Sequence, residues 1–336
     1  MDFHLEFTPK PFSIKIDHQQ KLLLVGSCFT ENIGSKLKRY KFEILENPNG
    51  ILFNPISITN SIASYITNKQ YTEADLFYQN ECWNSWNHHS RFSHPDKLAC
   101  LKQINLSQQK AHDFLKNADW ILVTLGSAFA YTLHFSDEII VDNRVGTEGD
   151  VVANCHKVPT DKFNKKLLTI QEINEALVKM IHELSVFNPS LKIIFTISPV
   201  RHLREGFVEN NRSKAALMQS VHAIVDADKK CFYFPAYELV IDDLRDYRFY
   251  AEDMVHPNYS ATNYVWDKFI TTCVDEPTQL LMKEINSVNA ATSHKPFNSA
   301  SNQHKKFLQL NLNKVNELSI KYPYINFDAE KDYFNE

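Results

Sequence analysis

No apolar run in this sequence is long enough to cross a bilayer, and the N-terminal stretch MDFHLEFTPKPFSIKID breaks its short apolar pieces with charges and prolines, unlike a secretory leader. The expectation is a cytoplasmic chain whose mature form starts at Met1. Basic excess is missing too: 36 Lys and Arg face 40 Asp and Glu, a net charge of -4. That balance removes the electrostatic argument for nucleic acid or an anionic membrane surface, and leaves a small molecule as the expected partner. The six cysteines (Cys28, Cys82, Cys100, Cys155, Cys231, Cys273) form no C-x-x-C pair. Neither a disulfide framework nor a zinc ribbon is expected from that spacing; reduced, mostly buried thiols are. Internal repeats and low-complexity runs are also absent.

What is present suits a packed α/β protein. The 336 residues, 43% of them hydrophobic, suffice for one large domain with an appendage or for two modest domains. Strand-like runs at 22–26 (LLLVG), 41–45 (KFEIL), 120–126 (WILVTLG), 192–198 (KIIFTIS) and 231–235 (CFYFP) alternate with helical periods near 30–40, 57–68, 169–187, 210–227 and 260–273. In the 169–187 helix, Ile170, Ile173, Leu177, Met180, Ile181 and Leu184 recur at steps of three and four, which gives one core-facing stripe. Alternation of this kind predicts a parallel sheet with helices on both faces. Residues 70–118, rich in His, Trp and Asn, read as an irregular insertion over the sheet edge or the site. Beyond Pro277 the pattern becomes helical at 278–290 and 301–321 and ends in an aromatic, acidic tail. The expected organisation is an α/β domain over 1–276 and a helical extension over 277–336.

The segment KLLLVGSCFTENIG sets Ser27 where an apolar strand turns into a helix. In open α/β sheets ligands bind beyond the carboxyl ends of the strands, where the next helix offers free N–H groups. Ser27 there is either a helix cap in a tight turn or a nucleophile that needs a base. A base lies far along the chain in YRFYAEDMVHPN, where Asp253 and His256 are three apart. On one helical turn that spacing lets the carboxylate hold Nδ1–H and leaves Nε2 free. The order Ser, Asp, His is one of several in which triads occur. The plain alternative is an Asp that caps a loop beside a packed His. His156 has no acid at such spacing, so His256 is preferred as base. Cys28, at a helix N-terminus, is the other possible nucleophile, although its position next to Ser27 points it elsewhere and a core role fits better.

The residues G-S-C-F (26–29), NPNGILFNPISI, SWNHHSRFS, ANCHKVP, SPVRH, DYRFYAEDMVHP and KPFN together resemble the GSCFA family, grouped with the SGNH or GDSL hydrolase superfamily, over about 10–325. Thr30 stands where the family name has Ala. The resemblance implies a flavodoxin-like three-layer sandwich with a central parallel sheet, Ser27 as nucleophile, and Asp253 and His256 as its partners. It also implies an oxyanion hole formed by the backbone N–H of Ser27 and of Gly50, with an asparagine from a G-x-N-D block. That block reads Gly126, Ser127, Ala128, Phe129 here and contains no asparagine. Loss of one oxyanion donor costs roughly 3 to 4 kcal/mol. Ser127, Asn154 or a histidine of NHHS are the candidate replacements, with Asn154 preferred as the nearest chemical substitute.

Other clusters admit two readings each. His88 and His89, beside Trp83 and Trp86, suit a substrate wall for a sugar or acyl group, or a packed surface loop. Adjacent histidines on a strand face opposite ways and no acid lies at a familiar ligand spacing, so a metal is not expected, nor any cofactor. Arg201 and His202 after the fourth strand either bind an anionic or polyhydroxylated substrate, or Arg201 pairs with an acid of IDDLRD. The expected activity is hydrolysis of a small or carbohydrate-linked O-acyl ester. The rivals are an O-acyltransferase, a binding protein with weak catalysis and, further off, a metal-dependent hydrolase.

Overall fold

The computed structural model describes residues 5–134 and 145–335, so the first four residues of the N-terminal segment lie outside it. Five parallel strands form the central sheet in the order β2-β1-β5-β8-β9. They are β1 (Leu22–Gly26), β2 (Ile44–Glu46), β5 (Trp120–Leu125), β8 (Lys192–Ile197) and β9 (Cys231–Phe234). Period-two alternation sorts their side chains onto two faces. Leu23, Val25, Ile121, Val123, Ile193, Phe195 and Ile197 pack on α2 (Pro55–Thr67), α4 (Ile170–Phe187) and α5 (Phe207–Ala227). Leu22, Leu24, Trp120, Leu122, Ile194, Phe232 and Phe234 pack on α1 (Cys28–Arg39) and α7 (Tyr259–Cys273). Burial on both faces explains why the strands read as continuous apolar runs. Each fully buried Leu, Ile or Phe contributes about 1.5–3 kcal/mol of transfer free energy. The architecture is thus a three-layer α/β sandwich with a parallel sheet, as the sequence predicts.

Helix starts follow capping chemistry. Ser27, Asn54, Asn258, Asp275 and Ser301 each accept a backbone N–H of the first turn of the helix that follows, and Thr169 forms a reciprocal capping box with Glu172. The capped positions explain why the sequence boundaries agree with the structure to within a few residues.

Residues 70–118 are not irregular, which corrects the sequence expectation. They hold a hairpin, β3 (Phe77–Gln79) and β4 (Cys82–Asn84), closed by Asn80 and Glu81 at positive φ, and then a twenty-residue helix, α3 (Lys97–Lys116). The buried stripe of α3 is Cys100, Ile104, Gln108, Ala111 and Leu115. Gln108 hides the period in the sequence, because it sits at a core position through hydrogen bonds with Ser64. A second hairpin, β6 (Phe129–Leu133) with β7 (Phe163–Leu167), also escapes the sequence reading. Between β9 and α7, a short α6 (Ala236–Glu238) continues as a π-helical turn, Leu239–Leu244.

At the C-terminus α8 (Glu276–Thr292), α9 (Asn302–Lys321) and α10 (Asp328–Asn335) close around Leu281, Ile285, Val288, Val315, Phe327 and Phe334. Tyr40 packs at the edge of this cluster and of the sheet-side cluster alike. Lys41 anchors α10 through Glu330 at 2.8 Å and the Asn326 carbonyl at 2.9 Å. The aromatic, acidic tail therefore ends in a helix that buries Phe334.

Candidate active site

Gly26 ends β1 at φ +147, where a Cβ would overlap the Thr124 carbonyl of the neighbouring strand, so only glycine fits. The next residue, Ser27, is 2% exposed and caps α1: its Oγ accepts the Phe29 N–H at 3.3 Å. That bond leaves the Ser27 hydroxyl proton free to donate. The cap reading of Ser27 is thus realised, and it is compatible with the nucleophile reading. The sheet ladder engages the backbone of Ser27, whose N–H donates to the Thr124 carbonyl at 3.2 Å.

Asp253 and His256 pair directly, Oδ2 to Nδ1, at 2.6 Å. Asp253 Oδ1 also accepts the N–H groups of Val255 and His256, at 2.9 and 3.0 Å. These backbone donors, with the imidazole, hold the Asp253 carboxyl down at about 2. The loop is a tight turn with Met254 at φ +57, rather than the helical turn the sequence spacing suggested. Both side chains are about half exposed. Arg201, just past the end of β8, donates its N–H to the Val255 carbonyl at 3.2 Å and so ties this loop to the carboxyl edge of the sheet. Its guanidinium stacks on Tyr250 at 4.2 Å and Tyr247 at 5.1 Å.

His202 lies between the two halves. A Cβ built on Gly126, after β5, would lie 3.2 Å from His202 Nε2, 3.4 Å from Ser27 Cβ and 2.8 Å from Phe53 Cβ. Glycine at 126 therefore lets these three side chains approach one another closely. Nε2 is buried without a hydrogen-bond partner. Burial first, then the nearby Lys214 and His256 charges, push the His202 pKa down to about 3, so the ring is neutral. Among the described residues no hydrogen bond joins Ser27 Oγ to His256; Ser27, Gly126, His202 and the His256 loop form the sequence of neighbours across the site.

The other candidates are placed as follows. Gly50 donates its N–H to the Asn47 carbonyl at 2.7 Å and backs onto His89 and Arg91. Ser127 is buried, with its Oγ on Ser213 and on the Phe129 N–H, and its own N–H on the Phe53 carbonyl. Asn154 Oδ1 takes the His156 N–H at 2.7 Å, and the residue lines a cavity of about 180 Å³ with Asn80, Asn84 and Ser93 that Ser27 does not line. His88 is 1% exposed, bonded to Ser85 Oγ and edge-on to Tyr71 and Phe92; burial lowers its pKa to about 3. Its surroundings are those of a core histidine. His89 Nδ1 accepts the Arg91 N–H at 3.2 Å, and Trp86 stacks on Phe77 at 3.7 Å with its Nε1–H on the Val145 carbonyl. His156 places Nε2 on the Ser85 carbonyl at 2.8 Å. Burial and Glu31 raise the Cys28 thiol pKa, which favours the neutral form over a thiolate.

Sequence reasoning missed two residues here. Lys214 is 1% exposed, and its Nζ bridges the Gly126 carbonyl at 2.6 Å and the Ser198 carbonyl at 2.7 Å, pinning the ends of β5 and β8. Burial drops its pKa to about 7. The signal was legible: Asn210, Ser213, Lys214, Leu217, Val221 and Ile224 form the buried stripe of α5, and a lysine inside a core stripe needs internal partners. Asn47 is 3% exposed and takes the Gly26 N–H on Oδ1 at 2.9 Å, with Nδ2 buried and unpartnered. Its signal was its place at the end of the second strand.

Fold and site together define an α/β protein that gathers a serine and a histidine–aspartate pair at the carboxyl edge of a parallel sheet. The chain belongs to the GSCFA family, whose model matches residues 21–269, and the model of the GSCFA domain protein C-terminal domain matches 285–336. Similar solved structures include a carbohydrate esterase family 3 from Talaromyces cellulolyticus, 10% identical over 80% of this chain and 99% of that one, TM-score 0.34. A Clostridium thermocellum family 3 carbohydrate esterase is 8% identical over 79% and 98%, TM-score 0.36. An acetyl xylan esterase from Butyrivibrio proteoclasticus is 12% identical over 81% and 66%, TM-score 0.37. No curated protein sequence matches the chain. Among the described residues no helix is long and apolar enough to cross a membrane, and no group of three or more His, Cys, Asp or Glu side chains converges as metal donors.

Proposed function

We propose that this protein is a serine esterase that cleaves a small O-acyl ester, acetyl by preference and carbohydrate-linked, through an acyl-enzyme. The observation that carries the reading is the 2.6 Å Asp253–His256 pair on a loop tied to the same sheet edge that holds Ser27. His256 takes the proton of Ser27 Oγ as that oxygen attacks the carbonyl carbon, and Asp253 fixes the Nδ1–H tautomer and stabilises the imidazolium. Water then releases the acyl group. The close approach of Phe53, His202 and Ser27 around Gly126 supports a short acyl chain over a long one.

A fluorophosphonate probe tests this directly. The expected result is one adduct on Ser27, lost in Ser27→Ala and reduced in His256→Ala, with acetyl-ester turnover lost in parallel. Ser27→Ala also removes the α1 cap and is expected to cost about 1 kcal/mol in denaturant unfolding. A folded protein that neither labels nor turns over esters would favour a binding protein on the same fold. Ester turnover without labelling, abolished by a chelator, would defeat the serine mechanism.

A further inference from the structure

The oxyanion of the proposed reaction has no free backbone donor in the places the sequence suggested. The Ser27 N–H is bonded to Thr124 and the Gly50 N–H to Asn47. Ser127 Oγ is bonded to Ser213 and Phe129, and Asn154 lines a separate cavity that Ser27 does not line. Among the described residues, the buried side-chain nitrogens without a partner near Ser27 include Asn47 Nδ2, on a side chain held by the Gly26 N–H, and His202 Nε2, which approaches Ser27 Cβ across Gly126. An unpaired buried polar nitrogen carries a desolvation penalty in the resting protein, a penalty that a ligand atom placed against it would relieve.

We propose that His202, as the neutral Nε2–H tautomer, is a catalytic residue that donates the oxyanion-hole hydrogen bond in the reaction of Ser27. This rests on the serine-esterase reading and adds the group that stabilises its charge. As Ser27 Oγ bonds to the carbonyl carbon, the C=O π pair moves onto oxygen and the Oγ proton passes to His256 Nε2. His202 Nε2–H hydrogen-bonds that oxygen and keeps its own proton. On collapse the pair returns, the bond to the leaving alcohol breaks, and the alcohol oxygen takes the proton from His256.

Three features of the site keep His202 in this role and out of the role of base. Its ring packs against Phe53, at 5.4 Å between centroids, and its backbone N–H is held by Asn210 Oδ1 at 2.9 Å. Lys214, which bridges the two strand ends beneath it, and His256 both oppose a positive charge on it. Among the described residues no carboxylate is bonded to the ring of His202, whereas Asp253 is bonded to that of His256.

The test uses the full chain with 4-nitrophenyl acetate. His202→Ala is expected to lower kcat roughly 10²- to 10³-fold with KM changed less than threefold, and His202→Gln, which restores an N–H donor, to recover at least tenfold of that loss. In wild-type protein phosphonylated at Ser27, the phosphonyl oxygen stands in for the oxyanion, and a new downfield His202 Nε2–H proton resonance should appear. A folded His202→Ala that keeps kcat within threefold overturns the proposal, as does an adduct without that resonance. If wild type itself neither labels nor turns over, the esterase reading falls first, and the two failures are distinguishable.

Discussion

Lys214 shows what burial does to a single side chain. A lysine in the core stripe of α5 is tolerated because two carbonyl oxygens, of Gly126 and Ser198, accept from its Nζ. With a folded pKa near 7 against an unfolded value near 10.5, the unfolded state binds the additional proton between those values. Stability therefore rises with pH through that window, and the penalty for charging the buried amine is fully present below pH 7. Denaturant unfolding from pH 6 to 10.5 should show this rise in wild type and its absence in Lys214→Met, so that the advantage of wild type over the variant grows with pH. Equal slopes in the two proteins would mean that Lys214 is charged throughout. His88 and His202 follow the same logic at lower pH: their pKa values near 3 make them neutral in the folded protein and costly to charge.

At the scale of elements, the site depends on the turns that follow β1, β5 and β8. After β5 the Phe53 carbonyl takes the N–H groups of both Gly126 and Ser127, and Phe53 Cβ would lie 2.8 Å from a Cβ on Gly126. A methyl group there must displace Phe53 or the His202 and Ser27 side chains. Gly126→Ala is expected to cost about 1–3 kcal/mol and to lower acetyl-ester kcat at least tenfold, measured by unfolding and by steady-state kinetics. Unchanged turnover would show that the ester does not sit against Gly126. The elements missed in the sequence share one trait: tertiary partners compensate for polar residues inside them. Gln108 is satisfied by Ser64 across the α2–α3 contact, and the β3–β4 hairpin packs Phe77 under Trp86. A reading of hydrophobic period alone scores such positions as surface.

For the whole molecule, the C-terminal helices have their own apolar cluster and meet the α/β layers through few groups, among them Tyr40, Lys41 and the His18 N–H bonded to Thr278 Oγ1 at 2.9 Å. Phe327, 1% exposed, is central to that cluster. Phe327→Ala is expected to cost about 3–5 kcal/mol locally. Hydrogen exchange should then show α9 and α10 losing protection while β1 and β5 keep theirs, as expected of a separately cooperative unit. Uniform loss of protection across the chain would make the extension part of one cooperative fold.

The sequence by itself determined the sheet strands, the helices that cover them and the two ends of the candidate site, because doubly buried parallel strands and capped amphipathic helices leave periodic, local signatures. It also set Ser27 at a strand end and Asp253 three residues before His256. Only the tertiary structure decided that the Ser27 and Gly50 N–H groups are already bonded, that Asn154 faces another cavity, and that His88 is core. It alone brought His202 Nε2 close to Ser27 across Gly126 and placed Lys214 Nζ on the Gly126 carbonyl. Those facts depend on which atoms meet across strands far apart in the chain, and the period of a sequence carries no record of such meetings.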